Sequence, residues 1–235
     1  MIRNIFANHG ITITEEQEQK LNQYYDLLID WNNKINLTSI VEYEEVVWKH
    51  FLDSAFFVSC DKVDLKEKKK VLDLGTGAGF PGMVLAILCP DYEFVLADSL
   101  NKRIEFLKVV INRLQIHNVS VIHGRAEELG RDENFRNQFD YVVSRAVAEL
   151  PVLLEYCIPF VKKEGYFVSY KSRRLDEEIE NADNALNVLY TKYEKKYKYE
   201  LEYDHSERYL VFFRCENITD SKYPRKPKKI KTNPL

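Results

Sequence analysis

Val71-Leu72-Asp73-Leu74-Gly75-Thr76-Gly77-Ala78-Gly79-Phe80-Pro81-Gly82 decides the fold of this chain. Val71 to Leu74 reads as a short strand, and the glycines follow at once, ahead of an apolar helical run through Met83, Val84, Leu85, Ala86, Ile87 and Leu88. At such a strand-to-helix crossing, glycines let a ligand approach the backbone at the helix N-terminus. Four glycines in eight residues exceed what turn geometry alone requires.

Downstream the rhythm repeats. Strand candidates at 94–98, 119–122, 139–144 and 166–170 alternate with amphipathic runs, one carrying Ile104, Phe106, Leu107, Val110, Ile111 and Leu114, another spanning about 149–160. Short apolar strands alternating with helices predict a parallel α/β sheet. A helix around 175–189 then leads into runs at 197–203 and 209–215, close enough to form an antiparallel pair at one sheet edge. Upstream of Lys70 the chain reads as helical. Thr14-Glu15-Glu16-Gln17 is a capping box, followed by Leu21, Tyr24, Tyr25, Leu28, Ile29 and Trp31 at helical spacing. A second helix is expected from about Glu42 into the Val58 region, with 32–38 as a connection and 64–70 as a surface linker. The expected division is a helical extension (1–66), a ligand-binding α/β domain (67–220) and a basic tail (221–235).

The 235 residues carry 37 acidic against 34 basic side chains, a net charge of −3. No stretch approaches the roughly 20 apolar residues of a membrane-spanning helix, and the start lacks the apolar region of a signal peptide. A soluble, cytoplasmic, monomeric protein is expected. Cys60, Cys89, Cys157 and Cys215 stand far apart and read as small buried hydrophobes, and the five histidines supply no ligand pair for zinc. The charge is uneven. Residues 221–235 hold six cations and no acid, leaving 28 basic against 37 acidic in the remainder. Such a tail suits a polyanion, with a merely solvated end as the plainer reading.

The glycine loop does not choose its ligand by itself. Gly77-x-Gly79-x-x-Gly82 satisfies a dinucleotide pattern, with Asp98 near the distance of a ribose contact, while a P-loop is excluded because no Gly-Lys-Ser/Thr follows. Asp73 ahead of the glycines would repel a pyrophosphate and suits the ammonium group of S-adenosylmethionine, directly or through water. Gly124-Arg125-Ala126-Glu127-Glu128 offers amides and a carboxylate to an adenine edge, and Asp98 ends a strand where ribose hydroxyls are usually held. Plainer roles exist for each: a turn cap for Asp73, a helix start for Glu127 and Glu128, a helix cap for Asp98.

Ser144-Arg145-Ala146-Val147-Ala148 follows the fourth strand at the catalytic edge of such sheets. It lacks the Asn/Asp-Pro-Pro-aromatic segment that holds an exocyclic amine, and it lacks the Pro-Cys nucleophile of pyrimidine carbon-5 methylation. Guanine N7 would need neither, because its lone pair is exposed and no proton must leave before attack. Arg145 has three candidate partners there, a methionine carboxylate, a phosphate or the guanine acceptor edge, besides a salt bridge to Glu149.

Several motifs in order now carry a resemblance. Trp31-Asn32-x-x-x-Asn36-Leu37-Thr38, His50-x-x-Asp53-Ser54, the stretch from Asp73 to Gly82, Asp98-Ser99-x-x-Lys102-Arg103, Gly124-Arg125-Ala126-Glu127, Ser144-Arg145-Ala146-Val147-Ala148 and Tyr223-Pro224-Arg225-Lys226 span nearly the whole chain. Together they resemble the RsmG/GidB family of bacterial 16S rRNA guanine-N7 methyltransferases. The resemblance implies a class I S-adenosylmethionine-dependent methyltransferase, a Rossmann-like α/β fold with a mostly parallel seven-stranded sheet and an N-terminal helical extension. It implies cofactor contacts at Gly75, Phe80, Ala126, Glu127 and Arg145, joining Asp73, Gly77, Gly79 and Asp98, with Arg145 as the candidate catalytic residue. The substrate implied is a guanine of 16S rRNA or the small ribosomal subunit. On the residues themselves, the basic tail with Arg225 and Lys226, together with Lys102, Arg103, Arg145, Lys171, Arg173 and Arg174, is expected to track RNA phosphates. The chain departs from the family at Lys228-Lys229-Ile230, where Gly-Thr-Pro is usual. Asn36, His50 and Asp53 fall in family motifs outside the methyltransferase core, either packing the extension or facing substrate. Two other functions remain open on the residues: an NAD-dependent oxidoreductase using the same loop, and a non-catalytic RNA-binding protein. Truncation after Asp220 is expected to spare cofactor affinity while weakening RNA binding.

Overall fold

A computed structural model describes residues 1–145, 148–172 and 175–235. Seven strands, β1 (Lys70–Leu74), β2 (Glu93–Asp98), β3 (Val119–His123), β4 (Phe139–Arg145), β5 (Val161–Lys171), β6 (Thr191–Leu201) and β7 (Ser206–Cys215), form one sheet in the order β3-β2-β1-β4-β5-β7-β6. The first five run parallel, and β7 joins β5 antiparallel with β6 outside it. The order reverses between β1 and β4, so a crevice opens at the carboxyl ends of those strands, where the glycine loop leaves β1. The last three strands are longer than their apolar runs suggested, because solvated polar residues extend the ladders.

Alternation along each strand sends successive side chains to opposite faces. Val71, Phe94, Leu96, Val143 and Phe212 enter one core, while Leu72, Leu74, Val142, Phe167 and Phe213 enter the other. Over the first face lie α1 (Ile2–Asn8), α2 (Glu15–Ile35), α3 (Tyr43–Val46), α4 (Asp53–Ala55), α5 (Gly82–Leu88) and α6 (Asn101–Leu114). The second is covered by α7 (Ala126–Leu129), α8 (Leu150–Cys157), α9 (Leu175–Glu180), α10 (Asp183–Val188) and α11 (Pro227–Thr232).

The Thr14 capping box forms, with reciprocal bonds between Thr14 and Gln17. Four expectations need correction. Helix α2 continues through residues assigned to the connection and ends on Asn36, whose left-handed backbone (φ 48°) caps it, while the Asn32 carboxamide accepts from the Leu37 and Thr38 amides at 2.6 and 2.8 Å. The second helix is broken into α3, a π-helical stretch Val47–Leu52, α4 and a 3-10 turn Phe56–Ser59. The basic tail is folded: α11 packs on α8 with Ile230 fully buried, and Arg136 donates to the carbonyls of Thr219 and Tyr223 at 2.7 Å each. The expected single helix at 175–189 is two short ones. All four cysteines are buried, and burial pushes the Cys60 and Cys89 thiols up to about 12.

Candidate functional site

The crevice is a cavity of about 700 Å3, within the range of small-molecule sites. Its floor is the glycine loop. Gly77 adopts φ +61°, and a Cβ there would meet nothing within 4 Å, so its missing side chain leaves the loop open toward the cavity. Gly79 (φ +100°) is required for another reason: a Cβ would strike the Tyr24 hydroxyl and lie 2.8 Å from Leu107. The same hydroxyl donates to the Ala78 carbonyl, so helix α2 supports the loop from behind.

Asp73 is wholly buried beneath the loop. Its Oδ2 accepts from Thr76 Oγ1 at 2.6 Å and from the Gly82 amide at 2.7 Å, while Oδ1 is buried with no hydrogen-bond partner. Burial raises its pKa to about 6 against the lowering pull of those bonds and of Arg145. The turn-cap reading of Asp73 is thus realised at one oxygen, the other is a buried acceptor without a partner, and Asp73 itself is not among the described residues lining the cavity.

Asp98 ends β2 and lines the cavity. Its carboxylate accepts from the amides of Gly77 and Leu100, both at 2.9 Å, and from Arg103 Nη1 at 3.1 Å. Of about four acceptor positions on a carboxylate, three are used, so two ribose hydroxyls fit only if Arg103 swings away. Opposite, Ala126 and Glu127 open α7 on the cavity wall, with Arg125 Nε on Glu127 Oε1 at 2.7 Å. Gly75, Phe80 and Arg145 also line it, as do Lys231 and Pro234 from the folded tail.

Arg145 is a junction rather than a partner of Glu149. Nη1 donates to Asp53 Oδ2 at 2.8 Å and to the Lys49 carbonyl at 3.1 Å, Nη2 reaches His50 Nδ1 at 3.2 Å, and the guanidinium carbon sits 5.2 Å from the centre of the Phe80 ring. His50 Nδ1 lies between a donor, Arg145 Nη2, and an acceptor, the Lys49 carbonyl at 3.1 Å, while Nε2 is 3.0 Å from Thr38 Oγ1. His50 stacks on Phe80 at 4.4 Å, and burial, reinforced by the Arg145 charge, depresses its pKa to about 3. It is a neutral ring at any working pH. Asp53 also accepts from Tyr199 Oη at 2.8 Å. Asn36, His50 and Asp53 therefore divide: Asn36 caps a helix, whereas His50 and Asp53 stand at the site.

The expected RNA contacts are scattered. Lys102 and Lys226 are exposed, Arg103 is held by Asp98, and Lys171 pairs with Glu178 at 2.5 Å. Arg225 is committed elsewhere: it grips fully buried Glu155 through Nε at 2.8 Å and Nη2 at 2.6 Å, and its own amide donates to the same carboxylate. Ala146, Val147, Arg173 and Arg174 lie outside the described residues. Sequence reading missed Lys231, Pro234 and Arg208; the first two carry no motif, and the last is a lone cation in an alternating strand.

A class I S-adenosylmethionine-dependent methyltransferase is what this strand order and this crevice define, and solved structures agree on the fold. A methyltransferase from Aquifex aeolicus superposes with a TM-score of 0.54 at 18% identity, covering 74% of this chain and 94% of that one. Residues 17–205 match the GidB family, described as rRNA small subunit methyltransferase G. The ribosomal RNA small subunit methyltransferase G of Lachnoclostridium phytofermentans is 49% identical over 92% of this chain and 88% of its own, and that of Alkaliphilus metalliredigens 48% over 93% and 90%. The chain belongs to the rRNA small subunit methyltransferase G family, and the oxidoreductase reading falls.

Proposed function

We propose that this protein methylates N7 of a guanine in the 16S rRNA of the small ribosomal subunit, acting as a cytoplasmic monomer. The observation that carries the reading is the crevice at the β1/β4 reversal, open at Gly77 and bounded by Asp98 and the Ala126-Glu127 corner, in a chain of this family. Those residues fit S-adenosylmethionine: an open glycine floor for its backbone-like methionine, a strand-end carboxylate for ribose, and a corner amide and carboxylate for adenine. When bound, S-adenosylmethionine supplies an electrophilic methyl group on a sulfonium.

The residues of the chain do the rest by placement. Asp73 clamps the loop through Thr76 and Gly82 and lends the floor negative charge, acting from below the cavity surface rather than at it. Gly75 and Gly77 keep that floor bare, and Gly79 makes room for Tyr24 and Leu107 behind the loop. Phe80 and His50 stack into an aromatic wall beside Arg145. Arg145, held in place by Asp53, presents its remaining N–H groups to a carboxylate or to the guanine edge. N7 of guanine carries no proton, so the attack needs no base, and His50 is not asked to be one. Lys102, Arg103, Lys171 and Lys226 are the proposed phosphate contacts; Arg225 serves Glu155 instead.

The test is transfer of a labelled methyl group to small subunits from cells lacking this protein, and separately to naked 16S rRNA, with the product nucleoside identified after digestion. 7-Methylguanosine at one position is the expected result. Label on another base, or on none, refutes the reading.

A further inference from the structure

A second cavity, of about 470 Å3, lies against the first, and His50 and Arg145 are the two described residues lining both. The π-helical stretch supplies Lys49 and His50, and Asp53 follows it directly. The carboxyl end of β5 supplies Tyr170 and Lys171, and the neighbouring β7 supplies Arg208. Such a π-helical stretch recurs at functional sites because it re-aims side chains that a regular helix would turn away.

The wall is cationic. Lys49, Arg145, Lys171 and Arg208 outnumber Asp53 and Glu178, and His50 is neutral. Three of these cations are already engaged: Lys49 with Glu45 at 2.7 Å and Asp204 at 3.1 Å, Lys171 with Glu178, and Arg145 with Asp53. Arg208 differs. Its nearest carboxylate oxygen, Asp53 Oδ1, is 3.9 Å away, beyond hydrogen-bond reach, so among the described residues its guanidinium keeps its donors free. A half-buried guanidinium with unused donors beside a cavity is a site for a phosphate.

Adjacency supplies the second argument. A methyl acceptor must come within about 3–3.5 Å of the methyl carbon, so its pocket has to adjoin the donor's directly. The second cavity meets the first at His50 and Arg145, and its volume suits a nucleotide withdrawn from its stack, as enzymes acting on bases in structured nucleic acid require.

We propose that this cavity receives the methyl-accepting guanosine of the RNA, turned out of its stack, with Arg208 holding its phosphate. The assignment rests on the methyl-transfer reading above. It is tested with Arg208→Ala, Arg208→Lys and Ser172→Trp, the last adding bulk to the cavity lining from a residue whose side chain makes no hydrogen bond among the described residues. For each, KM and kcat are measured on unmodified small subunits, S-adenosylmethionine affinity by calorimetry, and folding by thermal melting. The expected result is a KM raised about tenfold or more in Arg208→Ala, partly recovered in Arg208→Lys, and loss of transfer in Ser172→Trp, with donor affinity unchanged in all three. Wild-type kinetics in both Arg208→Ala and Ser172→Trp would overturn the assignment, and so would a fall in donor affinity in Ser172→Trp. Should Arg208→Ala fail to fold, Ser172→Trp alone decides. A wild-type protein that transfers no methyl to any subunit would instead refute the underlying reaction.

Discussion

At Gly77 the missing side chain is a statement about a ligand. Its φ of +61° costs an alanine about 1–2 kcal/mol, yet no protein atom stands where the methyl would go. Gly77→Ala should therefore lose about that much stability and considerably more cofactor affinity. Equal, small losses in melting and in titration would show that the loop does not contact cofactor. Asp73 gives a second residue-scale prediction. Burial lifts its pKa to about 6, so it is charged above that value and neutral below it. A cationic ligand prefers the charged form. Its affinity should thus fall as pH drops from 7 to 5, on the order of tenfold, with a proton released on binding below pH 6. Asp73→Asn should flatten that limb of the profile in a binding titration. Asp73, Gly77 and Asp98 were legible in the sequence because motif chemistry and strand position coincide there. The partners that tune them were not: Arg145 meets Asp53 across 92 positions of chain, a distance that no local pattern spans.

Among the elements, α11 and the stretch before it changed meaning most. A run of six cations reads as a solvated or polyanion-binding tail. The fold instead inserts Arg225 beside Glu155, which has no exposure at all. Removing one member of such a buried pair leaves the other charge stranded, so Arg225→Ala should cost about 3–5 kcal/mol, read from denaturant unfolding, while Lys228→Ala should cost almost nothing. Truncation after Asp220 is consequently no clean probe of RNA binding, since it strands Glu155 and removes Lys231 and Pro234 from the lining of the 700 Å3 cavity. The exposed cations offer a cleaner one. Replacing Lys226, Lys228 and Lys229 together with alanine should lower the slope of log affinity against log salt by about 2 on rRNA, if each neutralises a phosphate. An unchanged slope would mean that these lysines meet no RNA. The π-helical stretch was equally invisible beforehand, since Val46, Val47 and Phe51 fit an ordinary helical face.

On the scale of the whole molecule, the division at residue 66 marks a change of secondary structure without a break in packing. Ile2, Phe6, Leu21, Tyr24 and Phe57 share one apolar core with Val71, Phe94 and Phe212 of the sheet. Deletion of residues 1–66 should leave a chain without native near-ultraviolet dichroism rather than a smaller folded enzyme, because one face of the sheet would lie bare. Strand alternation made the α/β architecture and the antiparallel edge readable early; what the extension covers depended on tertiary contact alone. The junction formed by His50 and Arg145 has one further effect. Because it belongs to two compartments, a displacement of the guanidinium by an occupant on one side alters what the other side meets. Thermodynamic reciprocity then obliges S-adenosylmethionine and a guanosine nucleotide to change each other's dissociation constants by one common factor, whichever is added first.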